Sequence, residues 1–206
     1  MNRRDLLKTT PFWLGSVIAT PAIMQLLTSC SQKENLSWKP LLLDNKQAFV
    51  LENIVDIIVP ASKTIGALDV NIPQFIDLIL KDVFFENEQQ IFLKGAQYFK
   101  TKFEAMFKKE VENGSREDFL HLISIFFKIS ADQQRQIFEL LNKAEDKVKN
   151  KELYCIYKYL TFIRHYTLFG YYTSESVGKE ILHYDPIPGS YLACVSLSDI
   201  GNVSSI

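Results

Sequence analysis

Residues 152–170, ELYCIYKYLTFIRHYTLFG, decide the fold class of this chain. Apolar side chains recur here every three or four residues in two neighbouring stripes, which is the spacing of an α-helix. The aromatic stripe comprises Cys155, Tyr159, Phe162, Tyr166 and Phe169, and the aliphatic stripe comprises Leu153, Ile156, Leu160, Ile163 and Thr167. Two apolar faces need two surfaces to bury against, either within one bundle or partly on another protein. We expect the helix to end near Phe169, with Gly170 as the left-handed residue that closes it.

The same spacing recurs from residue 45 onward. It predicts an all-α fold, a single compact bundle of about six helices followed by an irregular C-terminal segment that contains Pro and Gly. Ser115 with Asp118, and Ser130 with Gln133, have the spacing of capping boxes. We therefore expect helices to begin at these two serines.

The composition excludes several function classes. The chain has 206 residues, with 23 Lys+Arg against 24 Asp+Glu, so it lacks the excess of cations that binding to nucleic-acid phosphates requires. No Gly-x-Gly-x-x-Gly sequence occurs among the 8 glycines, and the 3 cysteines show no spacing typical of a metal cluster or c-type haem. We expect no cofactor in this chain and no nucleic-acid partner.

The N-terminus has the composition of an export signal. Residues 2–8, NRRDLLK, resemble the twin-arginine motif through Arg3 and Arg4, and a moderately apolar run follows them. We interpret residues 1–29 as a cleaved signal peptide of the twin-arginine type. An ordinary secretory signal with two chance arginines is the alternative.

Residues 27–30, LTSC, resemble a bacterial lipoprotein box, which predicts that Cys30 is acylated and becomes the new N-terminus. Two or more acyl chains give stable membrane anchoring without a membrane-spanning helix. The alternative is an unmodified Cys30 within an uncleaved signal. Residues 30–44 would then form a tether whose apolar patch at 41–43 can dock, and residues 45–206 the helical domain.

No arrangement of side chains predicts catalysis by this chain. The three histidines are dispersed, and no serine or cysteine has a His and Asp at a recognisable spacing. The pairs Asp69 with Asp77 and Glu175 with Glu180 are interpreted as solvated surface charge. We expect the chain not to be an enzyme.

Cys155 and Cys194 leave three outcomes open once Cys30 is acylated. Export to an oxidising compartment permits a bridge between them or a bridge to a partner. Two free thiols are the third outcome.

Two irregular segments interrupt the helical pattern, at residues 60–73 and at residues 170–175 continuing through 183–191. Loops of this length without secondary structure are often functional. Together with the aromatic stripe they provide the residues that we expect at a partner interface. These are Pro60, Asp69, Tyr159, Tyr166, Tyr171, Tyr172, Glu175, Tyr184, Pro186, Pro188 and Tyr191.

These segments resemble the gluconate 2-dehydrogenase subunit 3 family over about residues 45–195. The matching pieces are IIVPAS at 57–62, GALD at 66–69, IPQFID at 72–77, GYYTSE at 170–175, GKE at 178–180 and YDPIPGSY at 184–191. Ser190, where an Arg is common, is a departure from the pattern.

The resemblance implies a small, non-catalytic subunit of a membrane-associated sugar or sugar-acid dehydrogenase. Its large partner would be a flavoprotein of the glucose–methanol–choline type holding FAD, and a cytochrome subunit with haem c would receive the electrons. The complex would be attached by the lipid to the periplasmic side of the bacterial envelope. The alternative is an independent periplasmic lipoprotein that binds a ligand or an envelope partner through its aromatic surface.

Overall fold

The computed structural model describes residues 36–182, 187, 189, 194–196 and 198. The described residues from Trp38 onward belong to one unit. Within them the secondary structure is entirely helical, without a strand. Arg3, Arg4 and Cys30 lie outside the described residues.

The described part of the chain contains seven α-helices and two short 3₁₀ helices. The α-helices are α1 (Asn45–Ile58), α2 (Ile72–Asp82), α3 (Glu86–Phe107), α4 (Arg116–Phe127), α5 (Ala131–Leu141), α6 (Lys151–Thr173) and α7 (Glu175–Glu180), and the 3₁₀ helices are Val111–Asn113 and Glu145–Lys147. The predicted all-α bundle of about six helices is therefore confirmed. The additional helix, α7, is a six-residue helix that directly follows α6.

Capping side chains set where α4 and α5 begin, as predicted. Ser115 Oγ accepts the backbone N–H of Asp118 at 3.3 Å, and the Asp118 carboxylate accepts the N–H of Ser115 at 2.6 Å. Ser130 and Gln133 make the same reciprocal pair at 3.3 and 2.9 Å. Each pair satisfies two backbone N–H groups that would otherwise lack a partner at a helix start.

The long helix α6 lies at the centre of the bundle and packs against α1, α2, α3 and α5. Its contacts with α3 run in opposite chain directions, since Lys102 of α3 pairs with Glu152 at 2.7 Å while Phe92 lies 5.2 Å from Phe162. The two helices touch at Gly95, where an added Cβ would lie 2.4 Å from the carbonyl oxygen of Cys155. A glycine at this point lets the two backbones approach closely.

The two stripes of α6 are buried to different extents. The aliphatic side chains of Ile156, Leu160 and Ile163 are enclosed by the bundle. The aromatic stripe is enclosed at Tyr159, which is 1% exposed, but reaches the surface at Phe169, which is 50% exposed. The N-terminal half of the aromatic face therefore belongs to the core, and the C-terminal half is open.

The predicted end of α6 is wrong by one turn. The helix continues through Gly170 to Thr173, and Gly170 does not take a left-handed conformation. The glycine serves close packing instead, because a Cβ there would lie 2.6 Å from the ring of Phe75 on α2. Spacing along one helix does not distinguish a terminating glycine from one that a neighbouring helix requires.

Candidate functional site in the loop between the first two helices and the end of the central helix

The loop at residues 59–71 is held by its own hydrogen bonds. The N–H of Ala67 donates to the carbonyl of Val59 at 2.9 Å, and the N–H of Gly66 donates to the Asp69 carboxylate at 2.7 Å. Gly66 is also in close contact with Ala61, since a Cβ at Gly66 would lie 2.4 Å from the backbone nitrogen of Ala61. The loop is thus a folded element whose outer residues have a defined position.

Tyr171, in the last turn of α6, joins this loop to the central helix. Its hydroxyl donates to the carbonyl of Ile65 at 2.7 Å, across 106 residues of sequence. The side chain is buried, and this burial, with a smaller contribution from Tyr172, raises the pKa of the Tyr171 hydroxyl. The hydroxyl therefore remains a protonated donor at neutral pH.

The structure brings several predicted interface residues together around Tyr171. Tyr172 packs edge-to-face on the Tyr171 ring at 5.3 Å and is 54% exposed. Asp69 accepts from Gly66 in the loop, and Pro60 is next to Gly66 on the other side of the same turn. Glu175 begins α7 two residues after α6 ends. We call the exposed surface formed by Pro60, Asp69, Tyr172 and Glu175 the loop face.

Two predictions of interface residues need correction, and a third residue, Tyr166, lies outside the loop face. Tyr171 is buried and positions the loop, so it does not itself reach the surface. Tyr159 is enclosed between Phe92 and Phe99, with ring distances of 4.8 and 5.8 Å. Tyr166 is half-buried and packs on Phe84, away from the loop. The remaining four, Tyr184, Pro186, Pro188 and Tyr191, lie outside the described residues.

The buried hydroxyl of Tyr159 has no hydrogen-bond partner among the described side chains and backbone. Desolvation raises its pKa, so it stays protonated. A cavity of about 40 Å³ that Tyr159 lines together with Lys46 and Gln97 is large enough for a water molecule. This residue therefore belongs to the core, because its neighbours leave it no route to a partner.

The sequence interpretation of Asp77 as solvated charge is wrong. Asp77 is fully buried in α2, and its carboxylate accepts the backbone N–H groups of residues 41, 42 and 43 at 2.5, 3.2 and 3.0 Å. The indole N–H of Trp38 donates to the Glu52 carboxylate at 2.8 Å on α1. The second half of the predicted tether is thus fastened to two helices. The signal was present in the sequence, since Asp77 follows Ile76 in the apolar stripe of α2.

The structure gives both described cysteines as free thiols. Cys155 is fully buried, and Cys194 is exposed. Burial, followed by the charge of Glu145, raises the pKa of the Cys155 thiol. A protonated thiol inside the core is poorly placed for disulfide exchange, because the thiolate is the reactive form.

Among the described residues, no group of three His, Cys, Asp or Glu side chains converges on a point that could hold a metal ion. Among the helices within the described ranges, none combines the length and apolar character needed to cross a bilayer. The loop face is a preformed surface of exposed apolar and charged groups.

The described fold is a helical bundle with an ordered loop beside the end of its central helix. The family model for gluconate 2-dehydrogenase subunit 3 matches residues 45–189, which is more than half of the chain. The chain belongs to this family, and the resemblance seen in the sequence is confirmed. Membership indicates an accessory subunit of a dehydrogenase complex. No curated protein and no solved structure matches the chain.

Replacing Tyr171 by Phe tests how the loop face is held. The change removes the donor to the Ile65 carbonyl, and we expect the free energy of unfolding to fall by about 1–2 kcal/mol. Amide hydrogen exchange in residues 60–71 should become faster by more than the global loss of stability explains. Chemical denaturation and exchange mass spectrometry measure these two quantities.

Tyr172→Phe is the matched control, because its ring is exposed and a surface change of this kind alters stability by only about 0.5 kcal/mol. Equal exchange rates in the loop of both variants would contradict the role given to Tyr171.

Proposed function

We propose that this chain is the non-catalytic small subunit that binds, stabilises and co-exports a flavin-dependent dehydrogenase of the glucose–methanol–choline type. The substrate of the complex would be a sugar or sugar acid, with FAD in the large subunit and a cytochrome c subunit as electron acceptor. The observation that carries the proposal is the family match over residues 45–189. The ordered loop face supports the binding step, because a preformed surface loses little conformational entropy on docking.

The proposed export route follows from the chemistry of the partner. A flavoprotein acquires its cofactor in the cytoplasm and must therefore cross the membrane folded, which the twin-arginine route allows. A signal on a small subunit without a cofactor, with Arg3 and Arg4 at its start, would serve both proteins. Acylation of Cys30 would then hold the complex at the periplasmic side of the membrane.

The hydrogen bonds from residues 41–43 to Asp77 would shorten the segment that separates a lipid on Cys30 from the helical domain. The described unit begins at Trp38, so eight residues, 30–37, precede it after the predicted cleavage. Eight extended residues span at most about 28 Å. We infer that the complex would be held close to the membrane surface.

Co-expression tests the proposal. The chain is produced with the flavoprotein encoded in the adjacent reading frame and purified through a C-terminal tag on this chain. We expect a complex with flavin absorbance in the periplasmic membrane fraction. The replacement of Arg3 and Arg4 by Lys should leave both proteins in the cytoplasm, and Cys30→Ala should release the complex from the membrane.

The two signal variants separate export from anchoring, since each changes one step and leaves the binding domain intact. Recovery of colourless protein without a partner would contradict the proposal and favour an independent lipoprotein. Export of the flavoprotein without this chain would contradict the co-export role alone.

A further inference from the structure

Aromatic side chains on the open half of α6 form a continuous strip at the surface. Its members are Phe162, His165, Tyr166 and Phe169, which we call the aromatic strip. Neighbouring rings are in contact, with centroids 4.5 Å apart for Phe162 and Tyr166 and 6.4 Å apart for His165 and Phe169. Seven residues of helix correspond to about 11 Å, and Tyr172 of the loop face follows about one turn further along α6.

A cleft opens at the other end of the aromatic strip, between α3 and α6. Its volume is about 270 Å³, and its walls include Phe84, Phe92 and Phe162, with Lys158 and Glu88 as the charged groups. A cavity of about 150 Å³ already holds benzene. The cleft can therefore take a large apolar side chain.

The two charged side chains that line the cleft, Glu88 and Lys158, differ in whether other groups of the chain already pair with them. Glu88 is engaged locally, because its carboxylate accepts the backbone N–H of Phe85 at 3.1 Å. Lys158 lies over the Tyr154 ring at 5.5 Å, and no carboxylate of the described residues is within ion-pair distance of it. Residues 153–174 of α6 and its C-terminal cap contain no Asp or Glu at all. The α6 wall thus presents a cation that has no anionic partner among the described residues.

We propose that the cleft and the aromatic strip bind a segment of the dehydrogenase partner that carries a large apolar side chain next to a carboxylate. The apolar side chain enters the cleft and the carboxylate pairs with Lys158, while the strip covers the apolar surface that flanks them. Buried aromatic groups surrounded by a polar rim are the usual centre of a protein interface. This inference rests on the proposed function.

A lipid surface fits this region less well. Recognition of anionic lipids by basic side chains typically uses clusters of four to eight Lys or Arg. The cleft and the strip contain one, Lys158, with His165 beside Phe169. The loop face also favours a protein, because Tyr172 follows Phe169 by about one helical turn and one partner could cover both surfaces.

Binding of the purified flavoprotein subunit to the full mature chain tests the inference by calorimetry. We expect Lys158→Glu and Phe169→Glu each to weaken binding at least about tenfold, since a reversed charge repels the partner carboxylate and a buried charge opposes an apolar contact. Lys128→Glu is the matched control. It reverses an exposed cation at the end of α4, which does not line the cleft, and should leave the affinity within twofold of the unsubstituted chain.

The outcomes distinguish this inference from the proposed function. If the unsubstituted chain does not bind the flavoprotein, the proposed function fails and this inference fails with it. If it binds and Lys158→Glu and Phe169→Glu bind as well as Lys128→Glu, the inference alone is overturned. The inference would also be overturned if Lys158→Glu and Phe169→Glu weakened binding to vesicles of phosphatidylglycerol and phosphatidylethanolamine but left binding to the flavoprotein unchanged. Circular dichroism and thermal midpoints check that each variant is folded.

Discussion

Replacement of Asp77 by Ala is expected to lower the free energy of unfolding by about 3 kcal/mol, because it leaves one buried and two partly buried backbone N–H groups without an acceptor. The Asp77 carboxylate accepts three N–H groups, from residues 41–43, and Leu43 and Asp77 are both buried. An alanine cannot replace these bonds, and water reaches the site poorly. We expect Asp77→Asn to lose less than Asp77→Ala, since the amide retains one acceptor oxygen but turns an NH₂ group toward N–H donors.

The Asp77 prediction has a local signature as well as a global one. Amide hydrogen exchange at residues 41–43 should accelerate in Asp77→Ala well beyond what the loss of global stability explains. Asp82→Ala, on the same helix but exposed, is the control and should lie within about 0.5 kcal/mol of the unsubstituted protein. Similar unfolding free energies for Asp77→Ala and Asp82→Ala would show that the carboxylate is not a structural acceptor.

Substitution of Gly95 should be the most disruptive change in the core. A Cβ at Gly95 would lie 2.4 Å from the carbonyl oxygen of Cys155 and 2.5 Å from Cβ of Tyr159. Neither atom is the end of a flexible side chain, so α3 and α6 must move apart. Overpacking of this kind costs about 1–3 kcal/mol or more, against about 1 kcal/mol gained from the helix propensity of Ala. We expect a net loss of about 2 kcal/mol for Gly95→Ala and of at least about 4 kcal/mol for Gly95→Val.

Gly178 in α7 provides the matched control for this glycine. A Cβ at Gly178 meets no described atom within 4 Å, so Gly178→Ala should be neutral or stabilise the protein by up to about 1 kcal/mol. Urea denaturation followed by circular dichroism measures both. If Gly95→Ala is as stable as Gly178→Ala, the helices are not in contact at Gly95 in solution.

Much of the fold could be predicted from local patterns because each pattern depends on residues close in sequence. The helical class, the caps at Ser115 and Ser130, and the family resemblance were all predicted in this way and are confirmed. Gly170 and Tyr159 were placed wrongly for one reason. What each residue touches is a different helix, Phe75 on α2 for Gly170 and Phe92 on α3 for Tyr159.

The candidate site, like the fold, could be predicted from the sequence only in part. The loop between α1 and α2 was predicted, but the second irregular segment was wrong at residues 170–175, where residues 170–173 belong to α6 and Glu175 begins α7. The sequence predicted Asp69, Tyr172 and Glu175 as candidates. The sequence could not predict that the Tyr171 hydroxyl holds the loop through a hydrogen bond to the carbonyl of Ile65, because the two residues are 106 positions apart. The assignment of these residues to a partner interface stays a prediction for the co-expression and binding experiments.

The helical class and the family follow from the sequence alone, because helical periodicity, capping spacings and short motifs depend on neighbouring residues along the chain. Which of the charged and aromatic side chains are buried depends on the tertiary structure. Asp77 became an acceptor for residues 41–43, and the aromatic stripe of α6 was divided between a core end at Tyr159 and an open end at Phe169. Burial depends on which helices meet, and those contacts join residues far apart in the chain.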